Sequence, residues 1–180
     1  MLDLQLDGDG TVPAPSFETQ AQSPVRSAKQ LAQGVQCGAL SLAFGFDWAR
    51  QIVDQFELVP VPRAPSWVLG AANINGLIVP VVDLANYFSG ADTPAQPERG
   101  QRLLMGGVQA EDADAALALV FSLTPVQLEH TSQPLADLQA LPLRLQEVCR
   151  GGASDDQGRL FVEIDPERLM DALSAELSVI

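Results

Sequence analysis

Few side chains in this sequence are of the kinds that carry out acid–base or nucleophilic chemistry. His130 is the single histidine, and it lies in a polar stretch typical of an exposed loop. Cys37 and Cys149 form no Cys-x-x-Cys pair and lie within or beside apolar segments, a pattern that favours buried thiols over a disulfide. A nucleophilic triad or a zinc site needs several such side chains to converge. The sequence therefore predicts no catalytic residues, no metal and no cofactor.

Two carboxylates, Asp83 and Asp165, have more than one possible role. Each comes directly before a run that favours a helix, where a carboxylate caps the first backbone N–H groups. As a pair they could instead act as acid and base. That gives an alternative function, a small β-barrel enzyme or ligand-binding domain with a pocket near Asp83 and Asp165. The glycine pairs at 106–107 and 151–152 lack the spacing of a phosphate-binding loop and indicate turns or bulges.

The charge of the chain restricts its partners. The 180 residues carry a formal net charge of -13, and the sequence pI is about 4.2. Nucleic-acid backbones and anionic membranes select basic surfaces, so neither is an expected partner. The opening residues, Met-Leu-Asp-Leu-Gln, lack the apolar core of a signal peptide, and every apolar run is shorter than the roughly 18 residues of a membrane span. These features predict a cytoplasmic protein without direct membrane insertion.

The composition changes near residue 36. Residues 1–36 are rich in Gly, Pro, Ser, Gln and Asp, and they predict a disordered polar tail. Residues 37–180 hold the sustained apolar runs and predict one folded domain. Leu2, Leu4 and Leu6 alternate with polar residues, so this part of the tail could still add a strand to a sheet edge.

The strongest local pattern is a hairpin. Two apolar runs, 68–72 and 77–82, flank residues 73–76, which read Asn-Ile-Asn-Gly. An Asn-Gly pair accepts the positive φ angles of a tight hairpin turn. The second run is nearly continuous, so we expect it to be covered on both faces. Pro80 donates no hydrogen bond to a ladder and belongs at an edge or bulge.

The remaining pattern is mostly strands, with short helices. Asp47 could cap a helical turn over 48–52, Asp83 a helix over 84–88, and Asp165, followed by Pro166, a C-terminal helix. Residues 132–141 are a loop or a loose helical turn, and the acidic stretch 109–114 is a solvated turn. The predicted strands are 37–46, 102–106, 115–122, 125–128, 146–150 and 159–164, the last two flanking a turn at 155–158.

Residues 56–84 also resemble a known family. They read Phe-Glu-Leu-Val-Pro-Val-Pro from position 56, Ala-Pro-Ser-Trp-Val-Leu-Gly from 64, Asn-Ile-Asn-Gly from 73 and Val-Pro-Val-Val-Asp-Leu from 79. In this order they are similar to the central signature of CheW-like chemotaxis coupling domains, and the resemblance extends over roughly 40–173. It implies a mainly β fold of two intertwined five-stranded SH3-like β-barrels that share a core, with short helices including one at the C-terminus.

The resemblance also implies a function and a binding surface. The expected function is that of a non-enzymatic adaptor in a chemosensory array, with an array for pilus-driven motility as one option. It would link the regulatory domain of a histidine kinase to the cytoplasmic tip of a chemoreceptor. The family usually has Arg at position 75, so Asn75 predicts weaker receptor coupling through the loss of an ion pair. The predicted partner-binding residues are Asn73, Asn75, Gly76, Ile78, Val79 and Pro80.

Overall fold

The chain folds into nine strands and three short helices within the part that the structure describes. A computed structural model describes residues 30–94, 96–107, 116–130 and 133–177. The strands are β1 Gln30–Cys37, β2 Leu40–Gly45, β3 Ala49–Val53, β4 Val68–Ile74, β5 Leu77–Val82, β6 Arg102–Gly106, β7 Leu117–His130, β8 Cys149–Ser154 and β9 Leu160–Ile164. The helices are α1 Leu84–Ser89, α2 Leu143–Val148 and α3 Pro166–Leu177, and Leu138–Ala140 form a 3₁₀ turn.

The strands form two barrels that share β7. Barrel A, as we call it, has the strand order β7-β1-β2-β9-β8, and barrel B has the order β3-β6-β7-β5-β4. The first half of β7 pairs with β5 and β6, and its second half pairs with β1. Because the chain builds β1 and β2, then barrel B, then β8 and β9, the barrels are intertwined. The predicted fold of two interlocked five-stranded barrels is confirmed.

Each barrel has its own small core, and a larger core lies between them. Along β7, Leu119 and Phe121 face the central core, whereas Ala118 and Val120 face the interior of barrel B. This alternation follows from the two-residue period of a strand. The central core also receives Leu42 from barrel A, and each buried aliphatic side chain adds roughly 1.5–3 kcal/mol. The predicted shared core is therefore confirmed.

Strand β7 bends where it passes from one barrel to the other. Leu123 has a φ angle of 63°, and the register between β1 and β7 shifts between Gly34 and Gln36. The Arg102 guanidinium donates a hydrogen bond to the Leu123 carbonyl at this point. The prediction of separate strands at 115–122 and 125–128 is wrong, because the bulge bends one continuous strand without ending it.

Strand β1 lies partly within the segment that the sequence assigned to the tail. It begins at Gln30 and pairs with both β2 and β7. Polar Gln33 and Gln36 hid the strand pattern, although Ala32 and Val35 are buried. Residues 30–36 are thus part of barrel A and the tail prediction is wrong for them. Residues 1–29, including the alternating leucines, lie outside the described residues.

Two local predictions fail, the first because long-range strand pairing overrides it and the second because a short helix extends further than the sequence suggests. The segment 48–52 is not a helical turn: the Trp48 N–H donates to the Gly45 carbonyl at 3.0 Å, and β3 then pairs with β6. Most of 146–150 is not a strand, because α2 continues to Val148 before β8 starts. The acidic stretch 109–114 lies outside the described residues.

Candidate docking surface on barrel B

The predicted hairpin turn joins β4 and β5. Asn75 and Gly76 have φ angles of 54° and 88°, and the Gly76 N–H donates to Asn73 Oδ1 at 2.9 Å. Positive φ at both central positions is the geometry that Asn-Gly accepts most easily. The predicted turn is confirmed, and Asn73, Asn75 and Gly76 are exposed at its tip.

The Asn75 side chain contacts the neighbouring strand β3. Its Nδ2 donates to Gln51 Oε1 at 3.2 Å, and both residues are exposed. This bond ties the hairpin tip to the edge of barrel B. An amide in this position offers a partner short-range hydrogen bonds and no net charge.

Strand β5 shows one face to the outside. Ile78 is 64% exposed and Pro80 is also exposed, whereas Val79 is 0% exposed inside barrel B. The prediction that β5 is covered on both faces is wrong, because this wall of the barrel is a single layer. Of the predicted binding residues in β5, Ile78 and Pro80 reach the surface, and Val79 supports the strand from behind.

Pro80 lies where a missing N–H costs least. It stands opposite Ala71 of β4, and the pairing of β5 with β7 involves Val81 and Val82. Within the described residues, Pro80 is therefore on the edge-like part of β5 that precedes the parallel ladder.

The outer face of β5 forms one wall of an apolar groove of about 540 Å³. A second wall is the proline-rich segment 61–65, and the third is the last part of α3. Trp67, which is buried, forms part of the base. No local pattern in the sequence reveals this groove, because α3 is far from β5 in the chain and only the fold brings them together.

A network of aromatic and polar side chains holds Trp67 behind the groove. The rings of Trp67 and Tyr87 pack edge to face at 5.3 Å, and the Arg144 guanidinium lies 4.8 Å from the Tyr87 ring centre. Arg144 also pairs with Glu176 of α3 at 3.0 Å. Asn86 Nδ2 donates to the Ser66 carbonyl at 2.8 Å. A second cavity of about 310 Å³ beside these residues is lined by groups that already bind one another.

Asp83 and Asp165 act as helix caps. Asp83 Oδ1 accepts from the Asn86 N–H at 3.1 Å, and Asp165 Oδ1 accepts from the Glu167 and Arg168 N–H groups at 3.1 and 3.2 Å. Partial burial raises the pKa of Asp165, but these bonds and the nearby Arg150 outweigh it and hold the pKa below its usual range. Neither carboxylate lines the two cavities described above. The capping roles are confirmed, and neither of these two cavities is the shared pocket that the alternative interpretation requires.

The two thiols are free, and both have a raised pKa. Burial, with a smaller effect of Asp83, raises the pKa of Cys37 to about 12, and burial also raises that of Cys149. Within the described residues, no three His, Cys, Asp or Glu side chains are grouped to hold a metal ion. In the same ranges no helix has the length and apolar character to cross a membrane. The His130 side chain lies outside the described part.

The fold and its exposed surface define a class of domain, a double β-barrel with an exposed hairpin tip and an apolar groove. A model of the CheW-like domain family matches residues 32–174. The chain therefore belongs to the CheW-like domain family. The chemotaxis protein CheW of Thermotoga maritima is 22% identical over 139 residues, which cover 77% of this chain and 86% of that protein. The crystal structure of the scaffolding protein TtCheW from Thermoanaerobacter tengcongensis matches with a TM-score of 0.57 and 13% identity, over 81% of this chain and 90% of that chain.

Proposed function

We propose that this protein is a non-enzymatic adaptor of a bacterial chemosensory array. Its partners are the regulatory domain of a histidine kinase and, more weakly, the cytoplasmic tip of a chemoreceptor, and it acts in the cytoplasm. An array for pilus-driven motility is one setting. Family membership supports the adaptor role, and the observation that carries it is the exposed hairpin tip beside the outward face of β5. Such a surface binds by burying a few apolar anchors and needs no reactive group.

Kinase binding is the first test of this proposal. The full chain is mixed with the purified regulatory domain of the kinase, and the complex is measured by pull-down and calorimetry. Ile78→Asp places a charge on the exposed face of β5 and is expected to weaken binding at least tenfold, about 1.4 kcal/mol. Leu143→Ser, at a side chain that is 77% exposed on α2, is the matched control. Failure to detect a complex at high micromolar concentration would count against the adaptor role.

The receptor is tested through position 75. Asn75→Arg supplies a guanidinium that can pair with receptor carboxylates, so co-sedimentation with receptor-containing membranes is expected to increase severalfold. Gln127→Arg adds the same charge on an exposed position of barrel A and is expected to change nothing. An equal gain in co-sedimentation for both variants would mean that added positive charge, and not its position, strengthens receptor binding. No gain in either variant would mean that Asn75 is not the cause of weak coupling.

A further inference from the structure

The groove between β5 and α3 has features that the hairpin tip does not share. On α3, Leu169 is buried away from the groove, whereas Met170, Leu173 and Leu177 line it, Leu173 as a buried side chain. These three residues are spaced three and four positions apart, so they form one stripe along about two turns of the helix. The stripe continues the apolar surface that Ile78 begins on β5.

The groove offers side-chain packing and little backbone bonding. Its β5 wall is the face of the strand, where Ile78 and Pro80 are exposed and buried Val82 closes the inner end, and the backbone groups lie in the sheet. The opposite wall contains Pro62 and Pro65, which have no N–H to donate. A partner strand would find no ladder to extend at these walls. An amphipathic helix, which inserts apolar side chains at intervals of three and four residues, suits this surface better.

One charged side chain lines the groove. Among the lining residues, Arg63 alone carries a charge, and it is exposed. Arg102, Arg144 and Arg159 pair with carboxylates, whereas Arg63 forms no ion pair or hydrogen bond within the described ranges. An unpaired guanidinium at the rim of an apolar groove is complementary to a carboxylate on whatever occupies it.

We propose that this groove docks an amphipathic helix of a partner protein, which packs its apolar face between β5 and α3 and presents a carboxylate to Arg63. Arginine and aromatic side chains are the groups that most often carry binding energy at interfaces, and Arg63 and Trp67 both line this groove. The inference shares Ile78 and Pro80 with the proposed adaptor surface, and it depends on neither the kinase nor the receptor.

The test uses two synthetic helices and the full chain. The first is fluorescein-labelled, has leucines spaced three and four residues apart and carries one glutamate at its end; the second has lysine in place of that glutamate. Fluorescence anisotropy should give at least a tenfold tighter Kd for the glutamate peptide, the ratio expected from about 1.4 kcal/mol. Arg63→Glu should reverse the preference, and Arg63→Asn, which tolerates the φ angle of 61°, should abolish it.

Variants of the walls separate docking in the groove from adhesion elsewhere. Ile78→Asp and Leu177→Ser should each weaken binding of the glutamate peptide at least fivefold, while Leu143→Ser should leave it unchanged. All three positions are exposed, so the variants are expected to fold, which circular dichroism checks. The wild-type comparison of the two peptides needs no variant and stands alone.

Several results would overturn the proposal. Equal affinity for the two peptides, or affinity that Ile78→Asp leaves unchanged, would refute docking beside Arg63. Displacement of the glutamate peptide by a peptide of residues 1–10 would assign the groove to the chain's own acidic, leucine-containing start. Loss of self-association in Leu177→Ser, measured by sedimentation, would assign it to a second copy. The kinase pull-down is independent, so failure here leaves the adaptor role to be judged separately.

Discussion

The lack of a side chain at Gly106 lets strand β6 pack closely against Trp48 of the central core. A Cβ built on this residue would lie 2.3 Å from the Trp48 ring, which is buried in the central core and stacks on Phe44 at 5.0 Å. The Trp48 ring is 2% exposed in a packed core, so moving it aside would disturb its neighbours. The glycine therefore sets how closely β6 approaches the central core.

We expect Gly106→Ala to lower the free energy of unfolding by about 1–3 kcal/mol or more, because the added methyl group overlaps the Trp48 ring. Urea unfolding followed by tryptophan fluorescence measures it. Gly45→Ala is the matched control, because its Cβ would meet only the carboxylate of exposed Asp47, which can rotate away. Similar losses in both variants would contradict the packing argument.

Cys37 links stability to alkaline pH. Its pKa is raised by burial from an ordinary value of 9.0 to about 12, so the folded chain keeps a proton that the unfolded chain releases. The stabilisation is fully present below pH 9.0 and is lost as the pH rises towards 12. The free energy of unfolding should fall by up to about 1.4 kcal/mol per pH unit in this window.

The measurement compares the chain with Cys37→Ala by urea unfolding across the same pH window. Alanine does not titrate, so the variant is expected to lose less stability with rising pH, and the gap between the two proteins should narrow. Parallel curves would mean that other groups, such as Tyr87, whose pKa is also raised by burial, account for the alkaline loss.

At the scale of elements, the bend in β7 is the feature on which both barrels depend. Leu123 lies in the left-handed region, is 69% exposed and separates the part of β7 in barrel B from the part in barrel A. A residue with a Cβ, other than Asn or Asp, is unfavourable in that region by roughly 1–2 kcal/mol. Leu123 therefore adopts a backbone conformation that is unfavourable for leucine.

We expect Leu123→Asn to raise the free energy of unfolding by about 0.5–1 kcal/mol, since asparagine tolerates this backbone angle and little buried apolar surface is lost. Thermal unfolding measures the change. Gln127→Asn, at an exposed position in the regular part of β7, should be neutral or destabilising, because asparagine is disfavoured in strands. A loss of stability in Leu123→Asn would disprove the strain argument.

Elements that carry their own boundary signals could be predicted from the sequence. The β4–β5 turn was recognised from Asn75 and Gly76, and α3 was recognised from Asp165 and Pro166, because these residues act within a few positions of themselves. The strands β1 and β3 were not recognised at their true bounds. Their stability comes from pairing with distant strands, and no local pattern reports that.

The features of the candidate site also fall into those that local sequence predicts and those that depend on the tertiary fold. The exposure of Asn75 follows from the hairpin turn, which the sequence predicts, whereas the near-continuous apolar run around Ile78 predicts cover on both faces and hides the exposure of that side chain. The burial of Val79 depends on which face of β5 closes barrel B, and the groove depends on α3 folding back across the molecule. Such features require the tertiary fold, so the sequence alone could not place them.

At the scale of the whole molecule, the shared strand and the central core make the two barrels one structural unit. Leu119, which is 0% exposed, lies on β7 and packs in the core between the barrels. Its neighbour Val120 faces the interior of barrel B. Neither barrel can lose its part of β7 without exposing apolar surface that belongs to the other.

We therefore expect a single unfolding transition in which fluorescence and far-ultraviolet circular dichroism coincide. Leu119→Ala should move the whole transition and cost about 2–5 kcal/mol, the range for a buried leucine. Val120→Ala should move the same transition by a smaller amount. Two separate transitions in either variant would mean that the barrels unfold independently.

The path of the chain through the barrels also decides the order in which they can be completed during translation. All strands of barrel B lie in one unbroken stretch that ends in the first half of β7, whereas barrel A needs β1 and β2 from one end of the domain and β8 and β9 from the other. A nascent chain can therefore close barrel B while β8 and β9 are still inside the ribosome. The apolar face of the β1–β2 hairpin stays exposed until β8 and β9 emerge and complete barrel A. This hairpin is therefore the part of the nascent chain where we expect a chaperone to bind.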